Sequence, residues 1–269
     1  MTARTLSAIL ITHNEAHNLP ACLDSLQGWV SEIVIVDNGS TDETLTIAER
    51  YGARIVRVSD WPGFGPQKNR ALDAAQCDWV LSIDADERIS PELAQDIQRV
   101  VQQDAARAYN LPRLSWYCGR FMRHSGWYPD PVLRLFKRGR ARFTDDLVHE
   151  RLVSQDPVQT LQGHLLHYSF MNFSQVLVKV DRYSTASAQQ MYERGRRARF
   201  VEAPVRGFWA FLRTYVFKAG FLDGAQGFAL AVSNAQGTYY RYLKLWLMAR
   251  AHQGHERPRS SSTETGSNP

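Results

Sequence analysis

The chain has 269 residues, 44% of them hydrophobic, enough to bury a full core for one α/β domain or one domain with an appendage. Its three cysteines, Cys22, Cys77 and Cys118, lack CxxC or His-paired spacing, which excludes a disulfide-stapled scaffold and reads as reduced thiols in a cytosolic setting. The formal charge is a moderate +5, no run reaches the roughly 18 apolar residues of a membrane span, and "MTARTLSAILITHNE" lacks a signal peptide's long apolar core, so neither membrane crossing nor secretion is expected.

The first hundred residues alternate between short β-branched runs and helical patterns. Strands are expected over 6–12 ("LSAILIT"), 32–37 ("EIVIVD"), 53–58 ("ARIVRV") and 78–84 ("DWVLSID"), which predicts a parallel sheet covered by helices. Helix starts are marked by Asn18 with Pro20 after it, by Ser40 with Glu43 as a capping box, and by Ser90 before Pro91 and Glu92. From about residue 105 the sequence turns aromatic-rich and irregular, as expected of further strands in a mixed sheet. A helix is expected over 174–198 and aromatic-rich helices separated by glycines over 205–250, followed by the polar tail "SSSTETGSNP".

In open α/β sheets ligands bind beyond the carboxyl ends of the strands, and three of these ends are polar: "THNE", "DNGSTD" and "DADE". The last puts Asp84, Asp86 and Glu87 directly behind a buried strand. Carboxylates held that close need a cation or hydrogen-bond donors, unless they simply line a solvated strand-to-helix turn. Asp37 has its own local reading, as the residue opening the Asn38-Gly39 turn. Gly63-Phe64-Gly65 is not a phosphate loop, since no Lys-Ser/Thr follows, and suits a flexible lid. The histidines His124, His149, His164 and His167 are scattered, without metal-site clustering, and His164 and His167 read as structural. Basic residues gather at Arg134, Lys137, Arg138, Arg140 and Arg142 and again at Arg194, Arg196, Arg197 and Arg199, which favours anionic partners. Nucleic acid is not expected, because zinc-finger, RNP and basic-zipper patterns are missing.

"ILITHNEAHNLPACLDSL", "IVIVDNGSTDETLTIAERYGARIV", "GFGPQKNRALDAAQCDWVLSIDADE" and "PDPVLRLFKRGRARFTDDLVHERL" together resemble a family 2 glycosyltransferase of GT-A fold, in particular the bacterial lipopolysaccharide-core β-1,4-glucosyltransferase type. The resemblance covers roughly residues 5 to 250. It implies an α/β fold with a mixed central sheet and a helical, aromatic-rich C-terminal region. The expected division is a glycosyltransferase domain over 1–172 (nucleotide-sugar half to about 104, acceptor half from 105), a helical membrane- or acceptor-associated region over 173–252, and a disordered tail over 253–269.

The resemblance implies transfer with inversion of a hexose, glucose from UDP-glucose, to a lipopolysaccharide-core or other lipid-linked saccharide. It implies Mg2+ or Mn2+ as cofactor and a location on the inner face of the cytoplasmic membrane. Asp84 and Asp86 match the D-x-D element, Asp86 for direct metal contact and Asp84 for the ribose or metal side, with Glu87 behind them. A divalent ion held by carboxylates neutralises a diphosphate leaving group. Asp37 matches the nucleobase contact, and Thr12, Asn14 and Glu15 match the first nucleotide loop. Lys68 and Arg70 could reach phosphate or the D-x-D carboxylates, although Lys68 could equally be a solvated helix residue. For the base that accepts the acceptor's proton the matched "HE" pair favours Glu150, with Asp146 as runner-up and His149 orienting the acceptor or hydrogen-bonding the base. Glu150 could instead pair with Arg151 or Arg134 on the surface. Residues 194–222 are expected either to dock on an anionic membrane or to pack in the core. Two other readings remain open on sequence alone, a sugar-phosphate nucleotidyltransferase and a non-catalytic module that binds anionic ligands.

Overall fold

The computed structural model describes residues 3–145 and 150–255. It divides into two compact units, one running to Arg123 and resuming over Trp127–Met171, the other made of His124–Gly126 and the chain from Asn172 onward.

The first unit contains β1 (Leu6–Thr12), α1 (Leu19–Asp24), β2 (Glu32–Asp37), α2 (Thr44–Arg50), β3 (Arg54–Arg57), α3 (Phe64–Ala74), β4 (Trp79–Ser82), β5 (Glu87–Ile89) and α4 (Pro91–Gln103). It continues with β6 (Ala108–Tyr117), β7 (Arg120–Phe121), β8 (Asp130–Lys137), β9 (Ala141–Phe143), β10 (Leu152–Ser154), β11 (Val158–Thr160) and β12 (Leu165–Phe170). Among the described residues the main sheet runs β3-β2-β1-β4-β8-β6-β12-β5, with β7 and β11 also on β6, while β9 and β10 form a separate pair. The four N-terminal strands are parallel and β8 joins β4 antiparallel, so the sheet is mixed, as expected.

Both faces of the parallel half are covered, because successive side chains of a strand point to opposite faces. Leu6, Ala8 and Leu10 pack with Ile33 and Ile35 on one face, and Ile9 packs with Val34 and Val36 on the other. Thr12 and Asp37 are register partners, which brings the carboxyl ends of β1 and β2 level.

Local signals hold where nothing competes for them. Ser90 caps α4 by accepting from Leu93 N at 3.3 Å. Ser40 does not cap a helix: its hydroxyl donates to Asp37, and α2 starts at Thr44, whose N–H donates to Asp42 at 3.0 Å. Asn18 likewise makes no side-chain cap and donates to Glu15 instead. The Gly63-Phe64-Gly65 stretch is not a lid but the start of α3, with Gly63 at φ +116 where a side chain would be strained.

The second unit is helical. Its helices are α5 (Phe173–Glu193), capped by Asn172, then α6 (Glu202–Leu212), a π-turn over Arg213–Phe217, a 3-10 turn over Gly220–Asp223, and α7 (Gly224–His255). α5 stops five residues short of the expected 198, at Arg194-Gly195 with Gly195 at φ +80. The expected glycine breaks are found at Gly220 and Gly224, but Gly227 and Gly237 lie inside α7. At Gly227 a Cβ would come 1.9 Å from the Gly220 carbonyl oxygen, so this glycine permits close packing rather than a break. α7 also runs to His255, into the segment expected to be a tail. Buried Asp223 holds the His124–Gly126 loop, accepting from His124 N and Ser125 Oγ, both at 3.0 Å.

Candidate active site

Residues at the ends of β1 and β2 frame a cleft of about 430 Å³ lined by Thr12, His13, Glu15, Asn38, Trp61, Phe64 and Gln67, with Ile11 and Val36 at its floor. Asp37, 1% exposed, is fixed by Thr12 Oγ1 at 2.8 Å, Ser40 N at 2.9 Å and the Ser40 hydroxyl. Two of these donors fill Oδ2, which leaves one lone pair on Oδ1 for a further N–H. Asn14, at φ +56, orders the loop after β1 by accepting from Thr41 N at 2.8 Å, so its side chain serves the loop itself. Glu15 is half-buried. Burial pushes its carboxyl above the ordinary range against a 3.0 Å bond from Asn18, and Asp86, Asp42 and Asp84 push the same way.

The three carboxylates after β4 are not equivalent. Arg134 from β8 is buried and reaches both Asp84, at 2.5 Å, and Glu87, at 2.8 Å. Lys68 from α3 adds a second cation 3.1 Å from Asp84. Burial alone would push Asp84 up, but Arg134 and Lys68 outweigh it and hold the carboxyl well below the ordinary range. Glu87 is fully buried, and burial with the nearby Asp84 charge pushes it up despite Arg134. Two of the three carboxylates are thus matched by Arg134 and Lys68, with Arg113 of β6 a further 3.9 Å from Glu87. Asp86, like Asp84, keeps a third of its side-chain surface open, but it faces an imidazole rather than a cation, with His167 Nε2 of β12 3.3 Å from Oδ2. Ser115 on β6 sits 3.1 Å from the other ring nitrogen and fixes the imidazole plane.

Lys68 is buried at 8% exposure, not solvated, and also lies 3.6 Å from Glu150, which links the candidate base to the Asp84 end of the site. Glu150 therefore pairs with neither Arg151 nor Arg134. Its segment is seated closely on α3: a Cβ at Gly65 would stand 1.9 Å from the Thr144 carbonyl oxygen and 3.4 Å from Glu150 Cβ. Asn69 ties the same region down by bonding both Phe143 O, at 2.9 Å, and Phe143 N, at 3.0 Å. Arg70 turns away from the carboxylates and forms a two-pronged pair with Asp60, at 2.6 and 2.9 Å. Asp146 and His149 lie outside the described residues.

The site thus joins a cleft beside buried Asp37, an ionic chain of paired charges and a partly open carboxylate–imidazole pair. The sequence model of the family described as Glycosyl transferase family 2 matches residues 7–161, more than half of the chain. The chain belongs to this family. The lipopolysaccharide core biosynthesis glycosyltransferase LpsC of Rhizobium meliloti is 32% identical over 265 residues, covering 94% of this chain and 95% of that protein. An uncharacterised glycosyltransferase of Rickettsia prowazekii is 29% identical over 90% of this chain and 87% of its own. Among solved structures, glucosyl-3-phosphoglycerate synthase from Mycobacterium tuberculosis, in complex with Mn2+ and UDP, is 29% identical over 42% of this chain and 44% of its own, with a TM-score of 0.34. This chain spans less than half the length of that protein.

For a family 2 glycosyltransferase the question is whether these residues suit a divalent ion. Among the described residues no trio of His, Cys, Asp or Glu stands ready around one point. Asp86 and His167 supply one oxygen and one nitrogen, both partly open, and a hard ion that keeps water and phosphate ligands requires no more protein than this. The pair fits Mn2+ or Mg2+ shared with a diphosphate. Asp84, expected as a ligand, is occupied by Lys68 and Arg134. His167 was missed because its neighbour is set by the pairing of β12 with β5, where it stands opposite Glu87; local sequence carries no sign of that register.

Proposed function

We propose that the protein transfers a hexose, glucose from UDP-glucose, with inversion to a lipid-linked saccharide of the lipopolysaccharide-core kind. Family membership supports glycosyl transfer, and the full-length likeness to LpsC supports the acceptor class. The observation that carries the reading is the division of labour after β4, with Asp86 beside His167 while Asp84, equally open to solvent, is held by the cations Arg134 and Lys68.

In this reading the uracil N–H donates to Asp37, and the Trp61 and Phe64 rings, 4.9 Å apart, border the base. Asp86 and His167 hold the divalent ion, which when bound offsets the charge of the diphosphate leaving group. The acceptor hydroxyl attacks the anomeric carbon from the face opposite the diphosphate; its oxygen–carbon bond forms as the bond to the diphosphate breaks, and UDP departs with that electron pair. Glu150 takes the hydroxyl proton, placed by Lys68 at 3.6 Å. The acceptor's lipid implies contact with the inner face of the cytoplasmic membrane, and no described helix is long and apolar enough to cross it.

Glu150→Gln keeps the shape and removes the basicity. It is expected to bind UDP-glucose as the parent does while transfer falls by roughly two to four orders of magnitude, the usual range for a lost general base. Wild-type transfer by this variant together with a loss in Asp146→Asn would move the base to Asp146. Release of pyrophosphate in place of UDP would overturn glycosyl transfer altogether.

A further inference from the structure

The second unit carries an exposed face that the transfer chemistry does not use. On α6, Ala203 and Gly207 are buried, and Gly207 lies so near α7 that a Cβ there would be 3.2 Å from the Ala235 carbonyl oxygen. That fixes which side of the helix faces its neighbour. At 100° per residue, Val201, Val205, Phe208 and Trp209 fall on the opposite side, and all four are more than half exposed. The π-turn that follows extends the patch with Phe217, its ring 5.5 Å from Trp209, and further along Phe221 and Leu222 are also more than half exposed. α6 is therefore apolar on both sides, the pattern of a helix buried on two sides, yet one side is left exposed by the described residues.

The charge around the patch is one-sided. Residues 194–222 contain seven Lys or Arg and one Glu, a net +6 where the whole chain has +5. Glu202 is shared between Arg196 and Arg206, and the other five basic residues, Arg194, Arg197, Arg199, Arg213 and Lys218, are all exposed. Two such faces would repel each other, which disfavours a second copy of the chain as the cover. A bilayer with anionic headgroups satisfies both features, because aromatic rings settle at the headgroup level while basic side chains meet the surface potential.

We propose that this face, from Val201 to Leu222, is an interfacial docking surface for anionic phospholipid, with Phe208, Trp209 and Phe217 entering the headgroup region and Arg199, Arg213 and Lys218 meeting its charge. The proposal rests on the membrane contact suggested above and assigns it to particular residues. Docking here is peripheral, and its affinity depends on lipid charge and on salt.

The test is sedimentation of the full chain with vesicles of phosphatidylcholine alone or mixed with phosphatidylglycerol, at low and high sodium chloride. The parent is expected to sediment with the mixed vesicles at low salt and to be released by high salt. Phe208→Ser/Trp209→Ser should weaken partitioning at least about tenfold through lost apolar burial, and Arg199→Gln/Arg213→Gln about thirtyfold through lost attraction. Circular dichroism and UDP binding, measured without vesicles, confirm that each variant is folded. Equal binding to neutral vesicles, equal binding by folded variants, or no binding by the parent at low salt would overturn the proposal. So would a dimer in solution that Phe208→Ser/Trp209→Ser dissociates, since the face would then be covered by a second copy. Vesicle binding by a protein that takes up no sugar nucleotide would support docking and remove glycosyl transfer, so the two readings fail separately.

Discussion

Arg134→Met should be among the most damaging single changes to the first unit. In the parent, one buried guanidinium serves two carboxylates, Asp84 and Glu87, and Glu87 has no exposed surface. Methionine fills much the same volume but leaves both carboxylates without that cation; Asp84 retains Lys68 at 3.1 Å, and Glu87 only the more distant Arg113 at 3.9 Å. Removing one partner of a buried ion pair costs about 3–5 kcal/mol, so destabilisation of that order is expected at neutral pH. The pH dependence gives the sign. Asp84 is held well below the ordinary range, so its stabilising contribution is present above the unfolded carboxyl range and is lost only in strong acid. Without Arg134 that contribution shrinks. Glu87, already pushed up by burial, then takes a proton more readily in the folded state, so the variant gains relative to the parent as pH falls through the carboxyl range. Urea unfolding read by hydrogen exchange of β4 peptides follows this unit apart from the helical one. A loss below about 1 kcal/mol, or a parent–variant gap that stays constant from neutral pH to acid, would refute the reasoning.

Glu15→Gln should stabilise the ligand-free protein at neutral pH and lose that advantage in acid. Burial raises the Glu15 carboxyl, so the ionised form is a cost at neutral pH, and glutamine keeps the acceptor for Asn18; a melting temperature below the parent's at neutral pH would contradict this. Gly65→Ala puts a Cβ 1.9 Å from the Thr144 carbonyl and should displace the Glu150 segment, lowering transfer while leaving UDP binding intact, as steady-state kinetics and calorimetry would register. Asn69→Ala strands the buried N–H and C=O of Phe143, at about 1–3 kcal/mol for each unpaired group, and chemical denaturation should show it.

What the sequence revealed followed from how local each feature was. β1 and β2 were legible to the residue because alternate and continuous apolar runs end in polar turns, and those ends marked the cleft. α4 was legible because Ser90, Pro91 and Glu92 agree on one start. Ser40 misled because a nearer acceptor, Asp37, takes its hydroxyl, and propensity cannot rank competing partners. The carboxylate cluster after β4 raised the right question with part of the answer missing. The cations that meet Asp84 come from α3 and β8, well outside the local segment on either side, and Arg134 reaches it only once β8 lies against β4. Lys68 carries two readings in the sequence, a cation for the D-x-D carboxylates or a solvated helix residue, because nothing in "GPQKNRAL" signals that α3 turns its lysine inward to Asp84. His167 was hidden in the same way by strand register.

The most direct test of the account is calorimetric titration of UDP into the protein with Mn2+ present, repeated with excess chelator and with Asp86→Asn and His167→Ala. The account predicts binding that needs the ion and is lost or strongly weakened in both variants, with each variant still folded. Undiminished binding in chelator, or parent-like metal-dependent binding by Asp86→Asn, would contradict the assignment of the open carboxylate–imidazole pair as the ion's seat.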